Sequence, residues 1–197
     1  MKVSVRIVGV LLTLCVFSVA AAIFAQAPAD LRGRAINATG SPAPDTVVWI
    51  EAPNAPARPA GRIVLDQRNL AFSPHVLAVR VGTIVDFPNN DRVFHNVFSF
   101  RDGKKFDLGM YPVGTLRHVT FDREGLSRIF CNIHPNMAAY VIAVDSPYFA
   151  RADENGAFAI PEIPPGMQTY HAWRPGATAY LTGSWSPSSG SLTVTWR

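Results

Sequence analysis

The chain has 197 residues, 48% of them hydrophobic and 16% charged, with 14 Gly, 16 Pro and a formal net charge of +4. That is enough apolar chain for one sizeable core or two small ones, and a composition for a turn-rich β protein rather than a coiled coil or a disordered tail. With so small a charge and no Lys/Arg run, the footprint of a nucleic-acid binder is excluded.

Residues 1–27 read as a secretory signal. Lys2 and Arg6 give a positive start, no charge follows from 7 to 25, and small residues end at Ala25-Gln26-Ala27, with Ala22 as the alternative cut. The apolar stretch is long enough to stay as an anchor, the one way this chain would meet a membrane. Removal of the segment takes Cys15 and leaves Cys131 as the lone cysteine. A leftover thiol in an exported protein is an inert core group, an intermolecular partner, a nucleophile or a metal ligand.

From residue 31 onward the chain breaks into short β-favouring runs: 46–50, 63–65, 76–81, 84–87, 95–100, 116–121, 127–131, 140–144, 157–160 and 192–196. Turn signals stand between them at Val81-Gly82-Thr83, Asp102-Gly103, Glu124-Gly125 and Glu154-Asn155-Gly156. Strands at this spacing predict an all-β sandwich or barrel. No long amphipathic helix is predicted, the Ala/Pro-rich stretch 52–60 reads as a linker, and 185–190 reads as a loop before a final strand.

The chemistry concentrates in Cys131-Asn132-Ile133-His134-Pro135-Asn136-Met137, directly after the run ending at Phe130. A thiolate, an imidazole and a thioether fall within one tight loop, where a strand end presents Cys131 and the loop returns His134 and Met137 to the same ion. Soft sulfur with imidazole selects copper, and two His, one Cys and a weak axial Met make the blue-copper set. The second His must come from elsewhere. His95, in Phe94-His95-Asn96-Val97-Phe98 after the turn-like Pro88-Asn89-Asn90-Asp91, is the leading candidate, and His75 is the runner-up. His118 reads as a strand-face residue, and His171 lies past a compositional shift near Ser146-Pro147. Asp107 reads as a solvated turn carboxylate, and Trp173 and Trp185 as core residues.

These residues carry a resemblance. Phe72-Ser73-Pro74-His75-Val76, Gly82-Thr83-Ile84-Val85-Asp86-Phe87, Asn90-Asp91 and His95-Asn96-Val97 look like the first half of a plastocyanin/azurin-type cupredoxin, and the Cys131, His134-Pro135, Met137 spacing resembles that of amicyanin. The resemblance covers about residues 63–144. It implies a Greek-key β-sandwich, one type 1 copper ion held by His95, Cys131, His134 and Met137, electron transfer between redox partner proteins, and no enzymatic activity. It also implies that Asn96 ties the His95 loop to the cysteine loop.

The flanks resemble a second family. Gly33-Arg34-Ala35, Gly40-Ser41-Pro42 and Thr46-Val47-Val48-Trp49-Ile50-Glu51 are similar to the opening of a carboxypeptidase regulatory-like domain, and Asp153-Glu154-Asn155-Gly156-Ala157-Phe158 with Ile163-Pro164-Pro165-Gly166 to its later half. The implied organisation is residues 28–61 as N-terminal strands and linker, 62–145 as the cupredoxin domain, and 146–197 as a C-terminal β segment. The flanks form either a second small sandwich or extra strands on the first. Chains built this way resemble periplasmic proteins of the methylamine-utilisation type, which implies a periplasmic location.

Overall fold

The structure, a computed structural model, describes residues 27–53, 55 and 60–197, so the expected signal segment, apart from its last residue, and most of the linker lie outside the described residues. Among the described residues seventeen strands run in chain order: β1 (Ala29–Asn37), β2 (Val47–Ile50), β3 (Arg62–Val64), β4 (Asp66–Arg68), β5 (Ala71–Ser73), β6 (Val76–Arg80), β7 (Thr83–Pro88), β8 (His95–Ser99), β9 (Phe106–Tyr111), β10 (Leu116–Phe121), β11 (Gly125–Phe130), β12 (Ala138–Val144), β13 (Phe149–Arg151), β14 (Ala157–Ile163), β15 (Gln168–Trp173), β16 (Leu181–Trp185) and β17 (Leu192–Trp196). The helical content of the described residues is one short 3-10 turn, Pro187–Ser189.

Residues 62–144 form one sandwich. Its larger sheet has the order β6-β12-β11-β8-β9 and its smaller sheet β10-β7-β3, with the β4–β5 hairpin beside them. Period-two alternation decides which side chains go inside. On β12 the residues Ala139, Val141 and Ala143 face inward, and Leu77, Val79, Val85, Phe87, Val97, Phe121 and Ile129 complete the same core. Cys131 and Met137 belong to that core as well.

The chain on either side of this sandwich comes together as a second one. β1 pairs with β14 and β17, and the order β13-β2-β15-β16 makes the facing sheet. Leu31 and Ala35 of β1, Val48 and Ile50 of β2, Ile160 of β14, Trp185 of β16 and Val194 and Trp196 of β17 fill its interior. Gly33 of β1 sits where the Phe158 ring and the Leu192 carbonyl close in. A Cβ there would overlap the ring and lie 2.5 Å from the carbonyl oxygen. Gly33→Ala is therefore expected to cost about 1–3 kcal/mol by overpacking. A lowered urea midpoint at constant slope would show it, and an unchanged midpoint would mean the ring yields freely.

The two sandwiches meet through a third apolar cluster. Val47 and Trp173, on the outward face of the β2–β15 pair, pack on Val76, Leu126, Ile142 and Val144, which lie on the outer face of the five-stranded sheet. This contact explains the run at 76–81: its outer side, with Val76 and Ala78, is covered too, so the alternation expected of a half-buried strand is blurred. Around the seam, His75 lies 3.5 Å from Asp45 and edge-on to the Tyr140 ring.

Candidate metal centre

His95 opens β8, and Cys131 follows the last residue of β11. Phe98 of β8 and Phe130 of β11 are register partners, so the two strands enter the site from adjacent positions in one sheet. The 131–137 loop then closes on itself. The Cys131 N–H donates to the Met137 carbonyl (3.2 Å), and the Met137 N–H to the His134 carbonyl (2.9 Å). The loop thereby folds His134 back beside the Cys131 side chain.

The three side chains converge. His95 Nδ1 lies 3.1 Å from His134 Nδ1, and Cys131 Sγ lies 3.8 Å from the first and 3.5 Å from the second. Among the described residues this is the one group of three or more His, Cys, Asp or Glu whose ligand atoms gather within 4.8 Å. A triangle with those sides has its centre roughly 2 Å from each corner, close to the bond lengths of a transition metal to imidazole nitrogen and thiolate sulfur. The donor set therefore fits one ion, not two. His95 and Cys131 are buried, His134 is half-buried, and Met137 is buried in the core beside Cys131.

The carboxylate behind His95 was not legible as a functional group. Asp91 Oδ2 lies 2.9 Å from His95 Nε2 and also accepts the Leu70 N–H (2.7 Å), while Oδ1 accepts the Arg92 N–H (2.8 Å). Burial alone would raise the Asp91 pKa. The hydrogen bonds from Leu70, His95 and Arg92 outweigh it and hold the group down at about 2. As an anion Asp91 can only accept, so His95 Nε2 carries the hydrogen between them, and Nδ1 is the ring nitrogen turned toward Cys131 and His134. The Leu70 contact ties the tip of the β4–β5 hairpin to the same carboxylate.

Deeper support comes from a buried polar group. Gln67 Nε2 donates to the Tyr111 hydroxyl (2.5 Å), which donates to the Phe87 carbonyl (3.0 Å). Asn89 Nδ2 reaches the Val93 and Tyr111 carbonyls, and Asn89 Oδ1 accepts the Asp91 N–H. Burial pushes the Tyr111 phenol up to about 12, so it stays a neutral donor. These bonds hold the 88–94 turn that delivers Asp91 and His95.

Asn96 is placed differently from the expectation. His95 points into the sandwich, so its neighbour Asn96 turns to the opposite face of β8 and donates Nδ2 to Asp107 Oδ1 on β9 (2.7 Å), not to the cysteine loop. Its buried Oδ1 has no hydrogen-bond partner. Asp107 is thus a strand residue engaged with Asn96 and the Gly109 N–H rather than a bare turn carboxylate. The other histidines lie apart from the centre: His75 at the seam, His118 on the exposed face of β10, and His171 on β15 bonded to Glu51 and Thr182.

No family model and no curated protein matches the chain. Among solved structures it is similar to a purple cupredoxin from Nitrosopumilus maritimus, at 28% identity over 43% of this chain and 99% of that one, with a TM-score of 0.38. It is similar to a reduced amicyanin variant at 24% identity, over 51% of this chain and all of that one, with a TM-score of 0.39. A copper-containing nitrite reductase from Thermus scotoductus SA-01 is similar at 22% identity over 56% of this chain and 28% of that one, with a TM-score of 0.41. In its sheets and strand order the fold is all-β, a cupredoxin-like sandwich.

Proposed function

We propose that the chain is a periplasmic type 1 copper protein that carries single electrons between redox partner proteins. The observation that supports this most directly is the convergence of His95 Nδ1, His134 Nδ1 and Cys131 Sγ on a point suited to one ion. His95, Cys131 and His134 would hold the ion, with Met137 as a weak fourth ligand. A thiolate with two imidazoles and a thioether is a soft set that favours copper over zinc or magnesium. Copper, when bound, supplies a one-electron exchange between Cu(I) and Cu(II).

The chain's own part is to hold the ligands still. Asp91 fixes the His95 ring from behind, and the loop hydrogen bonds fix His134 relative to Cys131. A site fixed in this way changes little when its charge changes, which suits a carrier rather than an enzyme. His134 is half-buried in a loop flanked by exposed Ile133, with exposed Val93 and Phe94 on the turn before His95. An apolar rim lets a partner approach without stripping water from charges, as the small interfaces of redox encounters need.

On this reading the segment 1–27 directs export, with an uncleaved anchor as the one route to a membrane, and nucleic acid is no partner. The second sandwich would be the regulatory-like unit. Its apolar contact with the five-stranded sheet favours a second reading, in which the chain is a copper-binding accessory, storage or scaffold protein of a periplasmic complex. The deciding experiment is titration of the metal-free protein with Cu(II). The expected result is one equivalent bound with intense visible absorption, abolished in Cys131→Ser. A colourless stoichiometric complex rejects the type 1 assignment, and rapid loss of copper to a competing chelator supports the accessory reading.

A further inference from the structure

The seam between the sandwiches opens at one end into a cleft with its own chemistry. Val47 and Trp173 are register partners and are buried against the five-stranded sheet. Two residues along on the same face, Trp49 and His171 are partners as well, but there the two sheets have diverged and leave a cavity of about 510 Å³. That volume falls within the range of small-molecule sites.

One wall is aromatic. The His171 ring lies 5.2 Å from Trp49 at a tilt of 31°, and Tyr180 stands edge-on to Trp49 at 5.2 Å. His171 is pinned at both nitrogens, Nδ1 to Thr182 Oγ1 (2.9 Å) and Nε2 to Glu51 Oε1 (2.5 Å). The opposite lip belongs to the other sandwich and carries Glu124 and Asp145, with Glu124 Oε1 accepting the Asp145 N–H (2.9 Å). Three carboxylates from three segments thus face one aromatic corner. Among the described residues that line the cleft none is Lys or Arg, in a chain whose net charge is positive. The Tyr180 phenol is raised by burial first and then by the charges of Asp102, outside the cleft, and of Glu124 on its lip.

This combination selects its ligand class. The carboxylates repel anions. Their oxygens do not gather into a group that would hold a metal ion. Aromatic faces attract weakly hydrated organic cations. We propose that this cleft binds a small organic ammonium ion, its charge between the Trp49 and Tyr180 rings and the carboxylates of Glu51, Glu124 and Asp145.

The probe is choline, with 3,3-dimethylbutan-1-ol as its uncharged isostere, titrated into the whole protein and followed by calorimetry and tryptophan fluorescence. Saturable one-to-one binding of choline is expected, at least about tenfold tighter than the isostere and weakened by salt. Trp49→Ala and Glu124→Gln should each weaken it by about fivefold or more, a factor in keeping with one cation–π contact or one screened charge. Glu124→Gln keeps an acceptor for the Asp145 N–H, so it stays informative if Trp49→Ala does not fold. Equal binding of the isostere would make the cleft merely apolar and overturn the proposal. So would the absence of saturation, or an affinity that Glu124→Gln leaves unchanged.

Discussion

Replacing Asp91 with alanine is expected to destabilise the metal-free protein by about 3 kcal/mol and to weaken its hold on copper by about 10–100-fold. His95 has no exposed surface, and its Nε2 hydrogen points at Asp91 Oδ2. Alanine leaves that donor buried without a partner, which is costlier than never having formed the bond. The same change releases the Leu70 N–H and so loosens the β4–β5 hairpin at the rim of the site. Asp91→Asn should fall between alanine and the native residue, because it keeps one acceptor oxygen but removes the negative charge behind the imidazole. Losing that charge makes His95 a poorer donor, so the copper potential should rise in both variants. Asp122→Ala is the control. It also removes a carboxylate of the first sandwich, but Asp122 is half exposed and pairs with Lys104 rather than with a ligand ring. Urea unfolding of the metal-free variants and potentiometry of the loaded ones separate the two effects. If Asp91→Ala matches the native protein within about 0.5 kcal/mol, the scatter of an ordinary surface change, the carboxylate does not hold the ring.

What could be read in the sequence divides along a physical line. The cysteine loop was legible because its partners are local: Cys131, His134 and Met137 lie within seven residues, and its closing hydrogen bonds run between those same three positions. Strands with a plain apolar pattern, such as β10 and β17, were legible for the same reason. The missed strands carry polar or bent sequence. β1 includes Arg32, Gly33 and Arg34, with the arginines on its outward side. β9 includes Asp107 and Gly109, and its pairing with β8 shifts register between Asn96 and Phe98. β15 and β16 hold Gln168, Thr169, Thr182 and Ser184, none of them buried, beside the buried Ala172, Trp173 and Trp185. Asp91 was hidden for a different reason. Locally it belongs to a Pro-Asn-Asn-Asp turn, and only the assembled fold brings both the Leu70 hairpin and the buried His95 ring to its Oδ2. Asn96 shows the converse: the motif suggested a tie to the cysteine loop, but strand alternation points the side chain to the other face of β8.

The same division makes the choice of the second histidine a sharp test. His75 stands just before β6 and His95 opens β8, and the sequence pattern ranks His95 first with His75 as the runner-up. The fold separates them. His95 lies in the interior with Nδ1 facing Cys131 and His134, whereas His75 stands half outside the seam, 3.5 Å from Asp45 and edge-on to Tyr140. His95→Ala is expected to abolish the intense visible band of the Cu(II) protein and to lower copper affinity by more than the ~10–100-fold of an outer contact, since it removes one corner of the donor triangle. His75→Ala should leave the band and the affinity within about twofold and lower stability by no more than about 1 kcal/mol, the scale of an exposed ion pair. Adding imidazole to the His95→Ala protein should restore part of the colour, because the cavity left behind opens between Asp91 and the remaining ligands and can take the missing ring. Visible absorption across the two variants, with and without imidazole, gives the answer. A bleached His75→Ala protein beside a coloured His95→Ala protein would place the copper at the seam and not in the first sandwich.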